Sequence, residues 1–443
     1  MSIETISRAT PSLTGPQGHL GRYMPTMVCL AIAVILLAPE LPIGEASTIS
    51  LGGFLLALAW LGAFFRRPPW LWRLHSTSVH LLVPIYALGV SLIRYFNGEM
   101  PDLIFLAALQ WAVYASYFLL PGAFGSRDRK SFLQFFLPLS LAIYAVITIW
   151  TAFQGPAYTS IQRETHRLAG APLFRAVGTG ENPNATAVTL VTALGAPLFL
   201  WRPRSSLLKW LLVGLVVLAL LLTASRAGLL ALGAATIGCL LLHLRAKGRH
   251  AWAPLLLIFV AVAIATYITL RVSPYHAVRE FGAGEFSFVE EAALRSTVLW
   301  SRAVNVFLDG APLDQLVGRG FRNTSGVYYE GGVASYGSYH NAWLQFLLDL
   351  GVIGTLLLLW WIIVVLVRAI RRGANGIGLA SIWMLLSLIT ASTTENFLYG
   401  PQSALFLGLA TWLVYMPAGQ ASRRKSAKTH GRPLRGILSK NNC

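Results

Sequence analysis

Apolar residues in this chain come in long unbroken blocks separated by short polar gaps, and the length of those blocks limits the fold more than any other feature. They fall near 23–39, 46–65, 76–96, 101–120, 131–154, 184–201, 206–222, 225–244, 252–271, 341–368, 375–394 and 401–417. Each is long enough to cross about 30 Å of hydrocarbon at 1.5 Å per residue. A water-soluble core has no use for so much apolar sequence, because a packed interior must be covered by polar surface. The expected fold class is therefore an all-α polytopic membrane protein of about 12 transmembrane helices, with membrane lipid as its solvent.

The charges orient those helices. Of the 35 Lys and Arg residues and 17 acids, one side of the alternation takes 24 basic residues but only Glu4 and Asp128 of the acids. That side holds Arg66-Arg67, Arg127–Lys130, Arg202, Arg204, Arg245–Arg249, Arg371-Arg372 and the basic tail. The other takes 11 basic and 15 acidic residues. Short basic loops are retained in the cytoplasm, so both termini are expected there, with the chemistry on the opposite face. The net charge of +18 is thus a topology signal, and no nucleic-acid partner is expected: the cations sit in gaps and not along one groove.

This division predicts a cytoplasmic tail at 1–22, helices 1–9 over 23–271 with an outer loop near 155–183, and a large outer loop at 272–340. Helices 10–12 follow over 341–417, then a basic cytoplasmic tail at 418–443. The start lacks an Ala-x-Ala exit, so 1–22 reads as a tail before an uncleaved helix. The 272–340 loop, between helices 9 and 10, is too aromatic for disorder, with Trp300, Phe321, Tyr328, Tyr329 and Tyr336. Helical periodicity over 288–309 predicts a helical cap over the outer face.

Chemistry-bearing residues concentrate on that face. Every basic residue there is arginine, whose rigid fork matches phosphate and stays charged; balancing the acids nearby is the plainer account. Arg226 follows Ser225 where the seventh and eighth blocks meet, and reads either as a snorkelling anchor or as a phosphate ligand at a helix N-terminus. His340 and Asn341 close the long loop. Imidazole suits proton transfer from a hydroxyl, while Asn341 as a helix cap is the structural alternative. Arg163, His166 and Arg167 have the spacing of one helix face. Asn182-Pro183-Asn184 opens the sixth helix, and Arg295 and Arg302 share a face of the cap helix. Asp349, Glu395 and Asn396 are further polar residues at or near the outer ends. Cys29, Cys239 and Cys443 form no CxxC or Cys/His cluster, so neither a disulfide framework nor a metal site is expected. No P-loop or carboxylate metal cluster appears.

Four of these features, in order, resemble the O-antigen ligase and polymerase superfamily of bacterial surface polysaccharide assembly. They are Asn182-Pro183-Asn184, Ser225-Arg226-Ala227-Gly228, Arg295…Trp300 with Gly318-Arg319-Gly320-Phe321, and His340-Asn341…Leu344-Gln345…Leu350-Gly351. The likeness spans about residues 175–400 and is strongest to the ligase. It implies an enzyme of the Gram-negative inner membrane that moves a glycan from undecaprenyl pyrophosphate to lipid A–core in the periplasm, with no cofactor, metal or ATP. It further implies His340 as general base and Arg226 and Arg295 as pyrophosphate ligands, with Arg163, Arg167 and Arg302 as further donor contacts. Asn341, Asn184 and Ser225 would support them. A polymerase using the same donor is the near alternative, and a transporter of a lipid-linked anion the distant one.

Overall fold

The computed structural model describes residues 41–42, 48–49, 78–116, 131–154, 164–168, 171–178, 182–247, 299–323, 327–330, 333–336 and 339–416. Its packed body is all-helical. The elements are α1 (Leu82–Phe96), α2 (Asp102–Ala115), α3 (Leu137–Gln154, entered through a π turn at Phe132–Phe136), α4 (Pro183–Leu200), α5 (Ser206–Leu222) and α6 (Arg226–Lys247). Then come α7 (Ser301–Leu308), α8 (Pro312–Val317), α9 (Ala342–Arg372), α10 (Gly376–Thr394) and α11 (Pro401–Tyr415).

Six described helices are long and apolar enough to cross a membrane, and three shorter apolar helices accompany them. These correspond to nine of the twelve apolar blocks. The first two and the ninth lie outside the described residues, except that Thr48–Ile49, at the start of the second, is a strand. The outward faces suit hydrocarbon: Ile85, Ile93, Phe153, Leu207, Leu211, Leu241, Leu356 and Ile363 are exposed, an apolar surface that water would not tolerate. The chain is a multi-pass membrane protein.

The core centres on α10, which packs against α4, α6, α9 and α11. Small residues let helices approach, as is usual where lipid removes the hydrophobic drive between them. A Cβ on Gly195 would meet the Trp383 ring at 2.6 Å, and Trp383 Nε1 donates to the Val191 carbonyl at 2.7 Å. Two other buried indoles are satisfied likewise: Trp111 donates to the Leu398 carbonyl and Trp361 to Thr411 Oγ1. Away from water each such bond removes the cost of an orphaned donor.

The hydrogen bonds also sort helix ends into two sets. At one end Gln134 Nε2 donates to the Leu200 carbonyl, Arg202 N donates to Gln134 Oε1, and Arg372 donates to the Val414 carbonyl. At the other, Arg94 pairs with Asp314 at 2.5 Å and donates to the Gly318 carbonyl.

Among the described residues, strands occur as three two-stranded antiparallel hairpins. β1 (Leu41–Pro42) pairs with β2 (Thr48–Ile49), β3 (Glu164–Leu168) with β4 (Ala171–Phe174), and β5 (Val327–Glu330) with β6 (Val333–Tyr336). The second corrects an expectation: Glu164–Leu168 is a strand, so His166 and Arg167 do not lie on a helix face. Pro172, in the paired strand, is a helix breaker that local spacing alone did not weigh.

The described part of the long loop is α7, α8 and the β5–β6 hairpin. Ala303 of α7 packs with Tyr339 and Leu348, joined by Val306, Phe307 and Leu344. Below it the Gly318–Phe321 motif docks on α9. Phe321 is fully buried, 4.7 Å from the Tyr399 ring and 4.9 Å from Trp111. The next residue, Arg322, donates its backbone N–H to Asp349 Oδ2 at 2.8 Å and its guanidinium to the Tyr399 carbonyl at 2.9 Å. At Gly351, with φ 63°, the backbone of α9 leaves helical geometry. This separates an outer segment that carries Gln345 and Asp349 from the long apolar remainder.

Candidate active site

The site is built from the starts of three helices and the end of a fourth. At α4, Asn182 is the N-cap and its side chain accepts from the N–H groups of Asn184 and Ala185, with Pro183 at the first helical position. This fixes Asn184 in the first turn. Its Nδ2 donates to Glu395 Oε1 at 2.8 Å, while its Oδ1 accepts from Ser225 Oγ at 2.9 Å and from Arg175 Nη2 at 2.7 Å. Donors at one end of the amide and a carboxylate at the other define which way it lies.

Ser225 caps α6, with Oγ accepting from the Gly228 N–H at 3.2 Å. It follows Ala224, whose φ of 50° makes the sharp turn from α5. Arg175 braces that turn through Nε, which donates to the Thr223 carbonyl at 2.7 Å. The cation thus meets a carbonyl at the end of α5, where the helix dipole favours positive charge. Arg226 is the first residue of α6 and half-buried. The residue stands at a helix N-terminus, where backbone N–H groups and the dipole both favour an anion.

His340 precedes α9, whose N-cap is Asn341, accepting from the Trp343 and Leu344 N–H groups. His340 has a φ of 49°, an uncommon conformation for any residue other than glycine and one that collects at functional sites. Its Nδ1 lies 2.9 Å from Glu395 Oε2; the imidazole side chain is 39% exposed and the carboxylate 10%. Glu395 ends α10. One of its oxygens faces His340 and the other accepts from Asn184. Nearby, burial pushes the Tyr399 hydroxyl well above its ordinary pKa, and the Asp349 carboxylate adds to the effect.

The structure joins His340, Asn184 and Ser225 in one hydrogen-bonded chain and places Arg226 directly after Ser225. Arg302 is exposed on α7, next to Ala303, which packs against the Tyr339 that precedes His340. Arg167 lies in β3. Arg163 and Arg295 lie outside the described residues. Two members of the chain carry no sequence pattern that marks them. Glu395 reads only as a polar residue at a helix end, and Arg175 as one outer arginine among 11. Among the described residues no group of His, Cys, Asp and Glu is arranged to hold a metal ion.

These features define a multi-pass membrane protein with an imidazole–carboxylate pair and an arginine-bearing helix start gathered at one end of its bundle. Residues 210–359 match the family model described as O-antigen ligase (Wzy_C). The family's chemistry is glycosyl transfer of the ligase or polymerase type, on lipid-linked polysaccharide in a membrane. The matched stretch contains Ser225, Arg226, Arg295, Arg302, His340 and Asn341, while Arg175, Asn184 and Glu395 lie outside it. A comparison with curated proteins gives no match.

Proposed function

We propose that the protein is an O-antigen ligase. It transfers a completed glycan from undecaprenyl pyrophosphate to a sugar hydroxyl of lipid A–core at the periplasmic face of the inner membrane. The observation that carries this reading is the hydrogen-bonded path from His340 through Glu395 and Asn184 to Ser225. It ties a base to the helix start that bears Arg226.

In this mechanism His340 takes the proton of the acceptor hydroxyl at Nε2. The hydroxyl oxygen bonds to the anomeric carbon as the bond from that carbon to the pyrophosphate oxygen breaks. The electron pair leaves with undecaprenyl pyrophosphate, and the imidazolium afterwards yields its proton to water. Arg226, with Arg295, holds the pyrophosphate and stabilises the charge growing on it, and Arg302, Arg163 and Arg167 are further candidates to contact the donor. The donor is already activated, so positioning and charge stabilisation suffice and neither ATP nor a metal is required. Attack from the face opposite the leaving group inverts the anomeric centre.

The test is incubation of the purified protein with lipid-linked O-antigen and lipid A–core. A core-linked product supports the ligase. A lengthened lipid-linked glycan makes it a polymerase, and no new glycosidic bond removes the transferase reading in favour of transport. NMR of the new linkage checks inversion; a retained configuration rules out single displacement.

A further inference from the structure

We propose that Glu395 is the positioning residue for His340, and that Asn184 couples the pair to the turn that presents Arg226. The inference rests on the transfer reading above, in which His340 receives the acceptor proton.

The placement of Glu395 is unusual on local grounds. It ends α10, where exposed carbonyls and the helix dipole favour a cation. The residue is also 8% exposed, so little water solvates its carboxylate. A helix end gains nothing from an anion there, and burial penalises it. Both costs are offset by two specific donors. One oxygen lies 2.9 Å from His340 Nδ1 and the other accepts from Asn184 Nδ2 at 2.8 Å.

The consequence for chemistry is definite. A carboxylate on Nδ1 selects the tautomer with its proton there, which makes Nε2 the basic nitrogen. When Nε2 accepts the hydroxyl proton, the ring becomes a cation next to an anion that is already in place. Glu395 itself takes no proton. On its other side Asn184 accepts from Ser225, the cap of the helix that begins with Arg226. Arg175 holds the same Asn184 oxygen and the Thr223 carbonyl. The base and the helix start are thereby registered to each other by side chains from α4 and α10, outside the family-matched stretch.

The test is steady-state transfer from lipid-linked O-antigen to lipid A–core by Glu395→Gln, which keeps shape and hydrogen bonding but removes the charge. Expected is a fall in kcat of about a hundredfold or more with KM for both substrates nearly unchanged. Added to His340→Ala, the same change should cause no further loss. A kcat near that of the wild type overturns the proposal. So does a loss carried by KM, or one that persists undiminished without the imidazole. If Glu395→Gln fails to fold, Glu395→Asp carries the test: its charge stays but is drawn back by one methylene, so kcat falls and KM holds, and an unchanged kcat overturns the proposal. Wild-type protein that forms no glycosidic bond sinks the transfer reading. Wild-type transfer with an unimpaired Glu395→Gln sinks the positioning role alone.

Discussion

Gly318 and Gly351 lie against each other backbone to backbone: a Cβ on Gly351 would stand 2.7 Å from the Gly318 nitrogen, and one on Gly318 2.5 Å from the Leu350 Cα. Both have positive φ, 95° and 63°. This contact seats the loop motif on the break in α9, so Gly351→Ala should destabilise the protein by about 2 kcal/mol or more through strain and clash together. Gly373→Ala, at φ 69° with nothing within 4 Å of its Cβ, meets strain alone and should cost less. Thermal unfolding of the purified variants compares the two, and equal losses would show that the close approach does not matter.

Arg175 should matter for stability even though it lies outside the matched stretch. Arg175→Ala removes one donor from the buried Thr223 carbonyl and one from the Asn184 oxygen, costing about 1–3 kcal/mol. Arg175→Lys retains the charge but cannot reach both oxygens with a fork, and should recover only part of that loss. Unfolding midpoints of the two variants measure it.

Arg226→Lys keeps a positive charge at the start of α6 but loses bidentate geometry. Most transfer activity should disappear while the unfolding temperature stays close to that of the wild type. Wild-type rates in this variant would identify Arg226 as a lipid-facing anchor.

His340→Ala should abolish transfer in a protein that still inserts and folds. Because the residue sits at φ 49°, His340→Asn is the gentler probe: asparagine accepts that backbone conformation more readily and offers no base. Both variants should be inactive, with Asn the more stable of the two. Activity in either, measured with lipid-linked donor and lipid A–core, would remove His340 from the chemistry.

Much of the architecture was legible in the sequence because membrane helices announce themselves by length. The blocks at 131–154, 184–201, 225–244, 341–368 and 375–394 each became a helix within a few residues of their expected edges. The cap of α9 by Asn341 was readable for a similar local reason. The strand at Glu164–Leu168 was not, because a four-residue spacing of Arg163 and Arg167 is satisfied by chance in any short polar segment. Within the site, His340, Asn184 and Ser225 were visible as motif members. Glu395 was not visible as their partner, since 55 positions separate it from His340 and 211 from Asn184. Only the packing of α10 between α4 and α9 closes those gaps. Arg175 was hidden for a similar reason: two of its partners are main-chain oxygens of a turn about fifty residues on.

The lateral ties among Asn184, Ser225, Glu395 and His340 join four helix ends at the site. When lipid tails are longer or shorter than a span prefers, helices adapt by tilting. Pinned to one another there, the four helix ends keep their mutual spacing when the helices tilt. The spacing between imidazole and helix start is thereby insulated from bilayer thickness, and the reaction geometry should travel unchanged between membranes that differ in composition.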